Sequence, residues 1–508
     1  MKKIIAFLLT IVSVFTVSLS AAGCSGKWST DRIRYVIFAS GGSLDDSDRI
    51  KASVNRITRE RLGFEIELEY LGYTDFVNKL GLYLNSREKV DMFYSGSVLS
   101  GLSYSSRAAR GDFKDITTLL PEYAPDVYAS MSEEIWEAAK VNGKIYGVIN
   151  EQIFARSVGL AIDEQVAKAI NLTQERIDEE NLTYRDCINM AMEYIANNEE
   201  ISPNGKVPST TLVIGDAWQD IFMQNYALDP LGTDSLVPGI IEAEKNSTEV
   251  INQYESEYFR EFIDFCKEMH EKGYIVKDQD SSPITSNQRV RITGTYKPGS
   301  EAVLYSAVGR RFKQFRFGTP LLTTYNVTTS MTAINTLSPN ADKCLQFINL
   351  MYTDKDFYNL LAIGEEGIDY EWKKGKDENG ELYDYISYVK TGKYKLNTDW
   401  SVGTEFNAYR KFLQSATVVE DTKKLNAEGL KSPAYGFTYR AANSTMTATI
   451  DSCYSTVQPY INRFLVGTYD KTKTTSELMA EINSKLKTIG LDTIISAKQA
   501  QLDAFLKK

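Results

Sequence analysis

Between Arg32 and Tyr94 the hydrophobic pattern switches period four times, and this restricts the fold more than any other feature of the 508 residues. Arg32-Ile-Arg-Tyr-Val-Ile-Phe-Ala39 reads as a strand, and Gly42 to Ser47 as a loop. Asp48 to Leu62 carries a helical stripe, and Phe64 to Leu71 alternates apolar and acidic residues as a second strand. Asp75 to Ser86 is a helix with Phe76, Leu80 and Leu84 on one face. Val90-Asp-Met-Phe-Tyr94 is a short buried strand. This β–α–β–α–β order predicts an α/β fold with a parallel sheet covered by helices. Ligands of such sheets gather at the carboxyl ends of the strands. The loop Tyr94-Ser-Gly-Ser97 stands at such an end, where a tight turn is an equally good account.

Further along, Asn142-Gly143 predicts a hairpin turn into Lys144-Ile-Tyr-Gly-Val-Ile149, and Val158-Gly-Leu-Ala-Ile162 follows as a second extended stretch. Two extended stretches in succession suggest a chain passing between domains. Gly318 to Ile334, extended and rich in threonine, suggests the return. Helical patterns cover Thr183 to Asn197, Glu257 to Lys272 and Asn340 to Ile363; Asn379-Gly380 predicts another hairpin. Ala441 to Lys508 reads as two or three helices, with Pro459 inside one and Gly490 between the last two. Lobes joined by repeated crossings leave a cleft that can close on a ligand.

The first residues read as an address. Lys2 and Lys3 precede an apolar run from Ile4 to Leu19, and Ser20-Ala21-Ala22-Gly23-Cys24 follows. This is the pattern of a secretory signal, residues 1–23. Its terminal cysteine resembles a bacterial lipobox, with Ala21 in place of the usual branched residue. The resemblance implies lipidation of Cys24, a tether over 24–31 and a protein held at the extracytoplasmic face of the cell membrane. Each buried acyl methylene contributes about 0.8 kcal/mol to such anchoring.

Composition removes several function classes. Lys+Arg is 57 against Asp+Glu 67, which argues against a nucleic-acid partner. The only histidine is His270, late in an amphipathic helix, so His-rich metal centres are excluded and a structural role is expected. Neither a metal nor another cofactor is expected. Cys187, Cys266, Cys344 and Cys453 each lie in a helical apolar pattern; two disulfides are possible, but buried thiols are the favoured reading. Gly309-Arg-Arg-Phe-Lys-Gln-Phe-Arg-Phe317 mixes cations with aromatics and reads as an edge strand with core phenylalanines and solvated cations. Paired acids at Glu365-Glu366 or Asp369 and Glu371 keep a glycoside hydrolase open, because that chemistry needs only two carboxyls about 5–9.5 Å apart. A solvated turn is the simpler account of them.

The 31 Tyr and 5 Trp point elsewhere, since many stand in polar loops: Tyr73, Tyr94, Trp136, Trp218, Tyr325, Trp372 and Trp400. A flat ring buries the C–H face of a sugar while neighbouring polar groups satisfy its hydroxyls. Ala217-Trp218-Gln219-Asp220 and Asp399-Trp400, with Glu405 and Asn407 beyond, have that mixture.

Taken in order, several stretches resemble bacterial extracellular solute-binding proteins of family 1, the carbohydrate ABC importer type, in the lipoprotein branch with a C-terminal domain of unknown function. The carriers are Gly143-Lys-Ile-Tyr-Gly-Val-Ile-Asn-Glu-Gln152, Gly159-Leu-Ala-Ile162, Gly294-Thr-Tyr-Lys-Pro-Gly299 and Thr328-Thr-Ser-Met-Thr-Ala-Ile334. Phe347-Ile-Asn-Leu-Met-Tyr-Thr353, Gly364-Glu-Glu-Gly-Ile-Asp-Tyr370, Ser432-Pro-Ala-Tyr-Gly-Phe437, Leu486-Lys-Thr-Ile-Gly-Leu-Asp492 and Lys498-Gln-Ala-Gln-Leu502 continue the match. Ile149 and Arg156-Ser157 depart from the expected crossing residues.

The resemblance implies a type II periplasmic-binding fold, with lobe 1 over 32–155 plus 331–395 and lobe 2 over 156–330 plus 396–508. It implies a monomer without catalysis that captures a sugar or oligosaccharide and delivers it to ABC permease subunits. Its ligand contacts would be Tyr94, Ser95 and Ser97 after the third strand, Asn150, Glu151 and Gln152 on the first crossing, Trp218, Tyr325, Trp400 and Glu366. The alternatives are an anchored glycoside hydrolase and a binder of peptides or other polar solutes in the same fold.

Overall fold

The structure is a computed structural model, described here for residues 28–39, 43–86, 88–96, 103–208, 211–214, 220–275, 287–376 and 380–507. Cys24, Ser97 and Trp218 lie outside the described residues. Two five-stranded sheets organise two lobes.

The first sheet has the strand order Glu65–Leu71, Arg32–Phe38, Met92–Ser95, Met331–Ile334, Gly147–Ile149. Its first three strands are parallel, as their sequence order requires, and Met331–Ile334 runs antiparallel to both of its neighbours. Ile33, Tyr35, Val36 and Ile37 are wholly buried, so this strand is covered on both faces. The edge strand instead buries Ile66, Leu68 and Leu71 and leaves Glu67 outside. Helix Ser47–Leu62 seats Ile50, Val54 and Thr58, one turn apart, and stops at Gly63, whose φ of 78° closes the last turn.

The second sheet has the order Leu430–Lys431, Phe312–Leu322, Arg156–Asp163, Val290–Thr293, Leu212–Val213. Arg156–Asp163 is its centre and runs antiparallel to both neighbours. Phe312, Phe315 and Phe317 are buried. Arg311 and Lys313 are exposed, as expected, whereas Arg310, just before the strand, is half-buried and faces Asp163 at 3.2 Å. The strand itself is not at the edge of the sheet, since Leu430–Lys431 pairs beyond it.

The chain changes sheet between Ile149 and Arg156, as the paired extended stretches imply. The return is less uniform than its sequence suggests. A one-turn helix, Thr324–Val327, interrupts it, because the Thr323 hydroxyl caps the Asn326 N–H. A third passage, which the expected lobe bounds place after residue 395, begins beyond Val402. Leu396 and Val402 belong to the first core, and Leu430–Lys431 joins the second sheet. This passage pairs with the first: Glu151 N–H donates to Gly403 O at 3.0 Å, and Glu405 N–H donates to Glu151 O at 2.9 Å.

Three helices, Ser444–Leu465, Thr475–Ile489 and Leu491–Leu506, complete the chain, and Pro459 and Gly490 stand where expected. Their Val457, Phe464, Ile482 and Ile494 share one core with Phe259 and Phe262. All four cysteines among the described residues are buried and free. Asn142 and Gly143, both at positive φ, make the hairpin between Lys140–Val141 and Lys144–Ile145. His270 spans the Phe464 and Leu465 carbonyls at 3.1 and 3.0 Å, the structural role its helix position suggests.

Candidate functional site

The carboxyl ends of the first and third strands converge on an aromatic cluster. The Tyr94 ring stacks on Phe38 at 5.4 Å and meets Phe76 and Trp400 edge-on at 5.8 and 5.9 Å. Its hydroxyl donates to Thr329 O at 3.1 Å, on the return crossing. Burial pushes the Tyr94 phenol far above its usual range, so it stays a neutral donor. Ser95 follows, fully buried, and its Oγ has no hydrogen-bond partner among the described residues. At Gly96 a Cβ would stand 2.0 Å from Thr329 O, so only glycine lets this loop lie against the crossing. Trp400 is half-buried and packs on Phe38 at 5.8 Å.

Asn150 ties the three crossings together. Its Nδ2 donates to Ser330 Oγ and to Ser401 O, both at 2.9 Å, and its Oδ1 accepts from Thr332 Oγ1 at 3.0 Å. Glu151 accepts from Thr404 Oγ1 at 3.0 Å, and burial raises its carboxyl pKa. The Gln152 carbonyl accepts from Asn426 Nδ2 at 2.8 Å.

Two cavities open beside this lock. One, of about 200 Å³, is lined by Arg156, Gln224, Thr233, Asp234, Tyr325 and Thr329 among others. The other, of about 580 Å³, has Trp400, Tyr388, Lys395 and Asp399 from the first-lobe side and Lys297 and Ser300 from the second. Lys297 Nζ donates to both Glu405 oxygens at 2.8 and 2.6 Å. Lys395 lies over the Tyr388 ring at 3.9 Å, and burial lowers its pKa. Tyr94 connects the two spaces, since its ring touches Trp400 and its hydroxyl touches Thr329. Aromatic faces beside separated donors and acceptors suit a hydroxyl-rich ligand.

The structure thus brings Tyr94, Ser95, Tyr325 and Trp400 together. Tyr325 and Trp400 line the cavities, and Tyr94 and Ser95 form the buried layer behind them. Asn150, Glu151 and Gln152 are buried in the crossing lock and line neither cavity. Glu366 is exposed on the turn before Tyr370–Lys376 and lines neither. Of the other loop aromatics, Trp136 is a core residue whose Nε1 donates to Tyr128 O, and Trp372 is exposed on a hairpin. Sequence reasoning missed Gln224, Asp234, Lys297, Tyr388 and Lys395. Only Lys297 carried a signal, as part of the Gly294–Gly299 stretch. Arg156 was visible only as a departure from pattern.

Of the four carboxylates that keep a hydrolase open, Glu365 and Asp369 hold an arginine, while Glu366 and Glu371 are exposed. Arg49 donates to Glu365 Oε2 and Asp369 Oδ2, both at 2.7 Å, and Asp369 Oδ2 also accepts the Glu365 N–H at 2.9 Å. At Gly364 a Cβ would strike Asp369 Oδ2 at 2.1 Å, which fixes glycine there. Asp369→Ala is expected to cost about 2 kcal/mol of stability by taking one of three carboxylates from Arg49 and the acceptor from the Glu365 and Tyr394 N–H groups, as a urea titration would show. A loss below about 0.5 kcal/mol would mean the pair is ornamental.

Residues 433–507 match the family model described as a domain of unknown function, DUF3502. The chain is 26% identical, over 94% of its length and 92% of the relative's, to a carbohydrate ABC transporter substrate-binding protein of Streptococcus pneumoniae serotype 4. Among solved structures it is similar to the N-glycan transport solute binding protein NgtS from Streptococcus pneumoniae, with a TM-score of 0.75 and 24% identity over 94% of this chain and 99% of that one. NgtS in complex with Man5GlcNAc gives a TM-score of 0.69 at 22% identity, over 94% and 98% of the two chains. The Streptococcus pneumoniae binding protein FusA in complex with kestose gives 0.58 at 13% identity, over 93% and 99%. The chain is therefore a two-lobed α/β protein with the fold of the extracellular solute-binding proteins, ending in a DUF3502 domain.

Proposed function

We propose that this protein is the extracytoplasmic receptor of a sugar importer. It takes an oligosaccharide between its lobes and passes it, chemically unchanged, to ABC permease subunits. The observation that carries this reading is Trp400, backed by the buried rings of Phe38 and Tyr94, lining a polar groove beside the place where three crossings join two sheets. Similarity to a carbohydrate substrate-binding protein supports it. Lobe 1 would comprise 32–155 and 331–395 with the turns up to Val402, and lobe 2 the remainder. Cys24 would carry the acyl chains that hold the receptor, a monomer, at the membrane.

Closure requires that ligand bind the closed form better than the open one. A ring on one lobe and hydrogen bonds from the other supply that difference only when both lobes reach the sugar. A thermal-shift panel with Man1GlcNAc, Man5GlcNAc and kestose tests the reading, because a ligand of the folded state raises the melting point. Chromatography of the recovered sugar should show no cleavage; turnover would establish a hydrolase, and binding of peptides alone a different receptor. Trp400→Ala and Trp218→Ala are each expected to weaken binding of the responding sugar about tenfold or more, by isothermal titration. Undiminished affinity in either removes that residue from the site.

A further inference from the structure

The second-lobe wall of the smaller cavity is a loop held from behind by the C-terminal domain. Pro230, Thr233, Asp234 and Ser235 line the cavity. They belong to the connection between strands Leu228–Asp229 and Ile241–Glu242. On the far side lies helix Leu491–Leu506, and its Lys498 is wholly buried. Lys498 Nζ donates to Thr233 Oγ1 and to Gly239 O at 2.7 Å, and to Pro230 O at 3.3 Å. One ammonium therefore grips both ends of the cavity-lining turn. The fit is tight: Gly239 has φ of 97°, and a Cβ there would stand 2.9 Å from Lys498 Cδ.

The rest of the domain adds to the grip. Tyr439 N–H donates to Leu231 O at 2.9 Å, and Ser432 Oγ just before the domain donates to Asp229 Oδ2 at 2.5 Å. Gln499 Oε1 accepts the Val250 N–H at 2.7 Å, and Asn483 Nδ2 donates to Tyr254 O at 2.7 Å. Lys498 and Gln499 thus bond the cavity-lining turn and the segment after it, while Gln501 exchanges two bonds with the Arg440 backbone, next to Tyr439. Burying an ammonium is costly, and an apolar residue of the same length would fill the space with less penalty. A group kept at that cost fixes geometry.

We infer that the DUF3502 domain is the backing of the ligand cavity, and that Lys498 is a positioning residue that sets where Thr233 and Asp234 stand in it. The inference rests on the receptor reading for its functional part only. Three charged or titratable groups face Lys498: the Asp229 and Asp234 carboxyls and the Tyr439 ring at 5.8 Å. Burial pulls the ammonium down to about 7, so its proton is exchangeable in the working range, and burial raises both carboxyls.

The test compares the full mature chain with Lys498→Met and with Lys487→Met, an exposed lysine of the same domain paired to Glu255. Hydrogen exchange of the ligand-free proteins is read first. In Lys498→Met the amides from Leu231 to Gly239 are expected to exchange about tenfold or more faster, while the first sheet and Lys487→Met stay unchanged. Equal exchange over Leu231 to Gly239 overturns the inference, whatever the sugar data show. Titration with Man5GlcNAc from pH 6 to 9 is read second. The wild type is expected to lose affinity as Lys498 gives up its proton, and Lys498→Met is expected to be about tenfold weaker at pH 6 with a flatter profile. A variant with the wild-type profile overturns the positioning role. Should the wild type bind none of the panel sugars, the receptor reading fails while the exchange comparison still decides the backing role. Should Lys498→Met not fold, Gly239→Ala, which displaces the lysine stem without removing its charge, is read by the same exchange measurement; an unchanged loop there overturns the inference equally.

Discussion

Asn150→Ala is expected to lower the stability of the protein by about 3 kcal/mol in a urea titration. The residue is 1% exposed and holds three side-chain hydrogen bonds, to Ser330, Ser401 and Thr332, one partner from the return crossing, one from the third passage and one from the strand beyond. Alanine cannot replace any of them. It leaves the Ser401 carbonyl and the Thr332 hydroxyl with one partner fewer in a site with no room for bulk water. A buried polar group left unpaired costs about 1–3 kcal/mol, and several are affected at once. The backbone bond from Asn150 N–H to Ser330 O, 3.0 Å, survives the change, so the crossing is loosened but not cut. Scattering from the ligand-free variant should therefore show a broader range of lobe separations than the wild type. A loss under about 1 kcal/mol would show that the crossings are held by their backbones alone.

The first sheet was legible because its sequence is locally consistent. Ile50, Val54 and Thr58 recur at helical spacing, and Ile66 and Leu68 at strand spacing, so each period names its own element. Parallel pairing followed from the order of the elements. The return crossing was half legible: Phe312–Leu322 and Met331–Ile334 are extended, but the turn at Thr324–Val327 comes from a single capping hydroxyl, which no periodicity reveals. The third passage left no pattern. From Asp399 to Asn407 it is built of single turns whose position is set by partners far away in sequence, such as Glu151 and Asn150.

The site was legible where it is aromatic and not where it is polar. A tyrosine or tryptophan in a polar loop is visible in the sequence, and Tyr94, Tyr325 and Trp400 meet at the groove. Asn150 carries no sign of whether it faces ligand or backbone; the answer depends on Ser330, Ser401 and Thr332, which the sequence places 180 to 251 residues away. Asp234 reaches its cavity through a loop, and Lys395 from the short strand Tyr394–Lys395, whose partner Ser43–Leu44 is more than 300 residues earlier.

Lys498 should also make folding stability depend on pH in a window few other groups share. Burial pulls its ammonium down to about 7 in the folded protein, and it returns to the ordinary 10.5 when unfolded. Between those values the unfolded chain binds the proton and the folded one does not, so stability rises with pH. The contribution is fully present above the unfolded value and is lost as pH falls through about 7. One proton of linkage corresponds to about 1.4 kcal/mol per pH unit. His270 is pulled below 6.5 and acts at lower pH, whereas burial raises the four thiols above 9.0 and Tyr35 above 10.0, so the thiols oppose the rise from about pH 8.5 upward and the tyrosine at more alkaline pH. Burial raises the carboxyls of Asp229 and Asp234 from 3.8, a change felt on the acid side. Lys395, also lowered by burial, shares the sign of Lys498 and contributes to the wild-type slope. The measurement is therefore a difference. Unfolding free energies are compared at about pH 7.0, 7.5 and 8.0, where the slope of Lys498→Met should lie below that of the wild type by up to about 1.4 kcal/mol per unit while Lys395→Met removes its own share independently. Parallel slopes for wild type and Lys498→Met would mean that the three oxygens around the ammonium hold its proton as firmly as water does, and that its burial carries no electrostatic cost.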